Sequence, residues 1–363
     1  MKILHTEASS GWGGQEMRIL KEAILMREEG HEIYFAIEEK GTLIQKAEAE
    51  GFPVYSCRFQ KRYWLKTAWH LSKILKENQI DLVNTHSSLD AWIAGIVAKY
   101  KNIPILRTRH ISAPIREGLN SRILYGFLAD MVITTCQKIV PEIVRKSRIS
   151  YKNCLSIPTG LACRDLAPFF SSRDAERKKW SFRPKDFVIG TACFMRSWKG
   201  IEDLLHAAKL VSSVPHIQFL LIGKDEQNRY IRLRDALGLQ KTVHFVGHVD
   251  NPFPLINALD AFVLTSTKNE GVSQATLQAA FFEKPLITTP VGGLPEVCID
   301  GKTGIQVPVG SPEKLAEAMQ KLANNTSWAE GLGKQAKSLV QDQFTDEKMV
   351  AKLKKVYAKL VLS

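Results

Sequence analysis

Short apolar runs alternate with helix-period stretches along almost the whole chain, a rhythm best satisfied by parallel βαβ units. Candidate strands cover residues 2–6, 32–37, 54–56, 81–85, 105–108 and 131–134, and a second series covers 187–193, 218–222, 243–246, 261–265 and 286–289. Their high content of Val, Ile, Leu and Phe suits strands buried on both faces. Helical patterns lie between them at 15–29, 64–77, 202–211, 230–236, 273–282 and 313–323. At 363 residues the chain exceeds one ordinary domain and suits two of about 150–190 residues. The pattern breaks into Pro, Thr, Gly and Ser between 158 and 174, as an interdomain linker would. The expected organisation is α/β: two doubly wound Rossmann-like domains, 1–165 and 166–345, facing a cleft, with a basic amphipathic helix over 346–363. Such sheets bind ligands outside the carboxyl ends of their strands.

Composition narrows the function. With 45% apolar and 24% charged residues the chain reads as globular. No stretch approaches the roughly 18–20 apolar residues of a membrane span. The opening Met-Lys-Ile-Leu-His-Thr is too short for a secretory signal, so a cytoplasmic location is expected. Six dispersed cysteines, without a CxxC pair, read as reduced core thiols rather than disulfides or a zinc site. The net charge of +13 is uneven: residues 1–57 are acidic on balance, and 58–160 hold most of the excess base. An anionic substrate, an anionic membrane surface or nucleic acid could answer that charge. No nucleic-acid motif is present, which ranks nucleic acid last. Within the basic region, 58–69 interleaves Arg58, Lys61, Arg62 and Lys66 with Phe59, Tyr63, Trp64, Leu65 and Trp69. That mixture suits a bilayer interface and a core-packed amphipathic helix equally well.

Several turns between strand and helix carry chemistry. Glu270, Gly271, Val272 and Ser273 follow the 261–265 run and open the next helix, with Gln278 one turn on. A carboxylate and free backbone amides at a helix N-terminus suit a hydroxyl-rich or phosphorylated ligand. Arg196 and Lys199 follow the 187–193 run, and two cations beside backbone amides suit a diphosphate. Gly11, Gly13 and Gly14 follow the first strand, but Glu16 stands where a dinucleotide fingerprint requires its last glycine. His110 ends the 105–108 run among Arg107, Arg109 and Arg116, and His86 with Ser87 ends the 81–85 run as weaker candidates. The turns 291–296 and 300–304 read mainly as turn chemistry.

Taken in order, Gly13-Gly14, His110, Ile157-Pro-Thr-Gly160, Trp198-Lys199-Gly200, Ile222-Gly223, Glu270-Gly271 and Gly292-Gly-Leu-Pro-Glu296 resemble the retaining family 4 glycosyltransferases of GT-B fold. The resemblance implies a nucleotide-sugar donor on the second domain, an acceptor on the first, and a final helix that crosses back to the first. It implies Lys199 on the donor diphosphate, Gly14 near the phosphate and Glu270 on sugar hydroxyls. The amides of Gly271, Val272 and Ser273 would line the site, and His110 would lie beside the sugar. Three positions depart from the family. Gln278 replaces the second Glu of E-x7-E, although an amide still hydrogen-bonds ribose hydroxyls. Phe194 stands where the family commonly has Arg, so a diphosphate role for Arg196 rests on proximity alone. Thr159 replaces the linker Asn. The expected activity moves a hexose or N-acetylhexosamine from a UDP- or GDP-sugar to a glycan or lipid-linked acceptor in cell-envelope polysaccharide or lipopolysaccharide synthesis, peripheral to the inner membrane face. No metal or cofactor is expected, because the cations could replace a divalent ion. A nucleotide-sugar epimerase, a phosphorylase and a non-catalytic nucleotide-sugar-binding subunit remain as alternatives.

Overall fold

The computed structural model describes residues 1–361. The chain divides into two compact units, one of Met1–Thr159 with the chain from Glu347 onward, the other of Gly160–Asp346.

The first unit is built on a parallel sheet of β1 (Lys2–Glu7), β2 (Glu32–Glu38), β3 (Val54–Cys57), β4 (Leu82–Thr85), β5 (Ile105–Arg109), β6 (Met131–Thr134) and β7 (Cys154–Ser156). Its strand order is 3-2-1-4-5-6-7. The second holds β8 (Phe187–Ala192), β9 (Ile217–Ile222), β10 (Val243–Gly247), β11 (Ala261–Leu264), β12 (Leu286–Thr288) and β13 (Gly304–Gln306), in the order 10-9-8-11-12-13. In each sheet the order reverses beside the unit's first strand, at β1/β4 and at β8/β11. Crossovers leave that point in opposite directions, so a crevice forms at the strands' carboxyl ends. The short edge strands β7 and β13 were not foreseen, because Cys-Leu-Ser and Gly-Ile-Gln carry almost no apolar run.

Helices Gly14–Glu28 and Asp346–Val361 cover one face of the first sheet, and Trp64–Glu77 with Ser88–Tyr100 cover the other. Helix Asp346–Val361 buries Met349, Val350, Leu353, Val356, Tyr357 and Leu360 against Ile3, Ile19 and Ile33, a spacing of three and four that forms a single stripe. Six such side chains represent on the order of 10 kcal/mol of gross apolar burial. A polar knot fixes the register beneath them. The fully buried Glu22 accepts from the Tyr357 hydroxyl at 2.6 Å, Arg18 at 3.1 Å and Asn84 at 3.1 Å. In the second unit, helices Ile201–Leu210, Pro312–Asn324 and Thr326–Gln343 pack one apolar layer against β8, β9 and β12.

Residues 158–174, read from sequence as a linker, contain the division at Thr159 but continue as the helical turns Cys163–Leu166 and Ala167–Ser172. Asn257 fastens the latter by donating to the carbonyls of Phe169 and Phe170 at 2.8 and 3.0 Å. The Ser and Pro content masked those two aromatic anchors. The 58–69 run splits: Phe59 is fully buried, whereas Leu65 is 90% and Trp69 68% exposed, among exposed Lys61, Arg62 and Lys66. All six cysteines are free. Among the described residues no helix is long and apolar enough to cross a membrane.

Candidate functional site

The switch point of the second sheet gathers the residues singled out from sequence. The loop after β8 turns back through hydrogen bonds from Arg196 N–H to the Phe194 carbonyl (2.8 Å) and from Lys199 N–H to the Arg196 carbonyl (2.9 Å). It then enters helix Ile201–Leu210 through Gly200, whose φ of +71° is left-handed. A side chain there would strike Thr265 O at 2.2 Å, so only glycine lets the two loops lie this close. The result is an ion pair between Lys199 Nζ and Glu270 Oε1. Ser266 Oγ donates to the same Glu270 oxygen at 2.6 Å, and Thr289 Oγ1 holds Ser266 through its carbonyl at 2.5 Å. Glu270 is only 5% exposed, so this is no surface carboxylate in a solvated turn.

The 291–296 turn does more than reverse the chain. Gly293 N–H donates to the Glu270 carbonyl at 3.0 Å, and a methyl group on Gly292 (φ +55°) would fall 1.7 Å from that oxygen. Gly292 thus sets the backbone of Glu270, while Ser266 sets its carboxylate. The Gly292 link was not readable beforehand, because it joins turns that follow different strands, whereas Ser266 lies only four residues before Glu270 in the same loop. Downstream, Val272 is buried and Ser273 caps helix Gln274–Phe281, its Oγ accepting from Thr276 N–H at 3.4 Å. Arg196 is exposed, its guanidinium 5.2 Å from the Trp198 ring centroid. Two of the three departures from the family meet here. Phe194 and Gln278 both line a cavity of about 190 Å³ at the carboxyl ends of β8 and β9, walled by Ile222, Val249 and Pro252, with His248 tilted 22° from the Phe194 ring plane.

His110, Gly13 and Gly14 belong to the first unit. Gly13 precedes helix Gly14–Glu28, and its N–H already donates to Glu16 at 2.9 Å. Glu7, at the end of β1, accepts from Ser9 N–H (2.7 Å) and Gln15 Nε2 (2.5 Å). Burial first, and nearby Asp90 second, push its carboxyl up to about 7. Two of the three arginines around His110 are engaged internally, and Arg116 is exposed. Arg107 is buried and donates to Ser87 O at 2.8 Å, and Arg109 donates to Tyr125 Oη at 2.7 Å and Ala113 O at 2.5 Å. His110 itself ends a row of three rings on adjacent strands. His5 Nδ1 lies 2.8 Å from His86 Nε2, and His86 Nδ1 lies 2.9 Å from His110 Nε2. Burial lowers all three: His5 falls to about 4, and His86 and His110 drop well below the usual imidazole range, with Arg18 adding to the effect throughout. His5 lay inside a presumed core strand, so nothing in its sequence context marked it.

Known families match this framework. The glycosyl transferases group 1 model matches residues 172–339, and the glycosyltransferase family 4 model matches 12–164. The chain is 30% identical over 283 residues to the capsular polysaccharide biosynthesis glycosyltransferase CapM of Staphylococcus aureus, covering 74% of each. It is 25% identical to N-acetyl-alpha-D-glucosaminyl L-malate synthase of Bacillus anthracis, covering 92% of this chain and 90% of that one. Among solved structures, a glycosyltransferase from Rickettsia africae superimposes with a TM-score of 0.88 at 20% identity, covering 99% and 98%. Anabaena HepE in complex with UDP and glucose gives 0.82 at 19%, covering 99% and 100%. These likenesses fix the fold as GT-B.

Proposed function

The chain belongs to the glycosyltransferases of group 1 and family 4, and on that premise we propose that it transfers a hexose or N-acetylhexosamine from a UDP- or GDP-sugar, with retained anomeric configuration and without metal or cofactor. The acceptor in this reading is a glycan or lipid-linked intermediate of cell-envelope synthesis. The observation that carries it is the Lys199–Glu270 pair, positioned at a topological switch point by Ser266 and Gly292. Lys199 and the exposed Arg196 supply positive charge for a diphosphate whose charge grows as it leaves. Glu270 accepts hydrogen bonds from sugar hydroxyls. The apolar walls of the 190 Å³ cavity and the Phe194 ring suit a nucleobase, and the Gln278 amide suits ribose hydroxyls. With the carboxylate engaged in holding the sugar, attack comes from the departing diphosphate's own face, and that diphosphate takes the acceptor's proton. The role given by family resemblance to His110 is contact with the transferred sugar.

The names of relatives lend support to the acceptor class. Those named include a lipopolysaccharide core biosynthesis glycosyltransferase of Rhizobium meliloti and a UDP-Gal:alpha-D-GlcNAc-diphosphoundecaprenol alpha-1,3-galactosyltransferase of Escherichia coli. Titration calorimetry with UDP and with GDP is the first test. One of them should bind, and Gln278→Ala should weaken it roughly tenfold, the worth of one or two hydrogen bonds. Binding of neither nucleotide would end the proposal.

The proposal extends to an anionic membrane surface. Leu65 and Trp69 stand one helical turn apart and exposed, with Lys61, Arg62 and Lys66 around them. Co-sedimentation with vesicles containing phosphatidylglycerol should fall several-fold in the Leu65→Asp, Trp69→Asp double variant. Binding that is indifferent to both the anionic lipid and the substitutions would remove this extension.

A further inference from the structure

His5, His86 and His110 share two hydrogen bonds, and neutral imidazole chemistry makes those bonds interdependent. Each neutral ring has one N–H and one bare nitrogen. If His86 donates through Nδ1 it must accept through Nε2, and the reverse holds equally. The row therefore has only two self-consistent states, in which every ring donates toward His110 or every ring donates toward His5. The rings stack closely, with centroids 5.1 Å apart at both steps and planes 2° and 37° apart. His5 also rests on Phe35 at 5.6 Å.

The two ends decide between the states. Both His5 Nε2 and His110 Nδ1 are buried atoms without a hydrogen-bond partner among the described residues. Arg18 Nη2, a donor, is likewise unpartnered. Either state leaves one end N–H without a partner, and that group is costlier at His5, 0% exposed inside β1, than at His110, which is half-buried just beyond β5. A bare His5 Nε2 places that N–H at the outer end of the row. Glu22, the acid acting on His5, already accepts from Arg18, Asn84 and Tyr357. Beside His86, Asp90 is engaged by Thr6 Oγ1 and by the His86 and Ser87 amides, and Arg107 adds further positive charge.

We propose that the three rings form a tautomer-coupled column that donates from His5 through His86 to His110, so that His110 presents a fixed Nδ1–H. His5 and His86 are then positioning residues that act through His110. The consequence is specific: His110 offers a hydrogen-bond donor to an incoming oxygen, and its one bare nitrogen, Nε2, is taken up by the His86 N–H and so cannot act as a base. This holds whatever ligand the protein takes, so it survives or fails independently of the nucleotide-sugar reading.

Full-length protein labelled with 15N-histidine, followed by long-range 1H–15N correlation from about pH 8 to about pH 5.5, tests it. Three of the nine histidines should show protonated Nδ1 with bare Nε2 and should not titrate. His5→Phe keeps an aromatic ring between Phe35 and His86 but removes the first donor. In that variant His110 should lose its single tautomer, while the six histidines outside the column keep their signals and report an intact fold. His86→Phe should release His110 completely and bring it into the titrating range. A His110 pattern identical in wild type and His5→Phe, or a bare Nδ1 on His110 in wild type, would overturn the column.

Discussion

Glu270→Gln and Lys199→Met each lower nucleotide release from the productive UDP- or GDP-sugar by about 10²–10³-fold, the usual worth of one preorganised electrostatic group at a reacting centre. The two substitutions probe different halves of one device. In Glu270→Gln the amide still accepts from Ser266 Oγ, so the loop keeps its hydrogen bond while losing its charge. Lys199→Met leaves a 5% exposed carboxylate without its cation. Removing one partner of a buried pair costs about 3–5 kcal/mol in a fully enclosed site. Lys199 is 19% exposed, so the measured loss of stability should fall below that range. Steady-state kinetics and thermal unfolding together separate the effects. Turnover near wild type in both variants would remove the pair from catalysis; unfolding of both would shift the question to milder replacements such as Ser266→Ala.

Acidification from pH 7 to pH 5 lowers the unfolding midpoint of the first unit steeply. His5, His86 and His110 stay neutral in the folded chain, with His5 at about 4, but take up protons near the usual 6.5 once unfolded. Depressed groups contribute stability fully above the unfolded value and lose it as pH falls toward the folded one. Glu7 works in the opposite direction. Its folded value of about 7 lies above the unfolded value, so its contribution is complete at low pH and disappears as pH rises through 7. Asp90, also raised by burial, shares that sign. Three protons gained against one or two released leave a net uptake of about one to two, or roughly 1.4–2.7 kcal/mol per pH unit at the steepest point. Urea unfolding at several pH values should show that slope, and His86→Phe should flatten it. A midpoint constant between pH 7 and pH 5 would contradict the burial of the three rings.

The parallel architecture was legible because buried strands and crossover helices leave different periods in the sequence. What failed to show were elements defined by partners rather than by pattern. β7 and β13 exist because β6 and β12 offer free edges, and their own residues carry no signal. Lys199 and Glu270 could be singled out from strand-end positions, yet their pairing depends on Gly200 and Thr265 meeting across a crossover. The Gly292 turn read as simple punctuation because its role is set by a carbonyl 22 positions earlier. The cluster of arginines around His110 did not show that Arg107 and Arg109 each donate to internal oxygens while Arg116 stays exposed. Sequence shows which side chains are charged; it does not show which are already engaged.

The helix Asp346–Val361 completes the apolar layer of a unit whose strands were laid down first. During synthesis that layer must wait, with Ile3 and Ile33 of the strands and Ile19 of helix Gly14–Glu28 incompletely covered, until the whole second unit has left the ribosome. Nascent chains arrested before residue 346 should therefore engage chaperones and resist folding as a free amino-terminal fragment. Any genetic dissection of the two halves has to carry this distant helix along with the first.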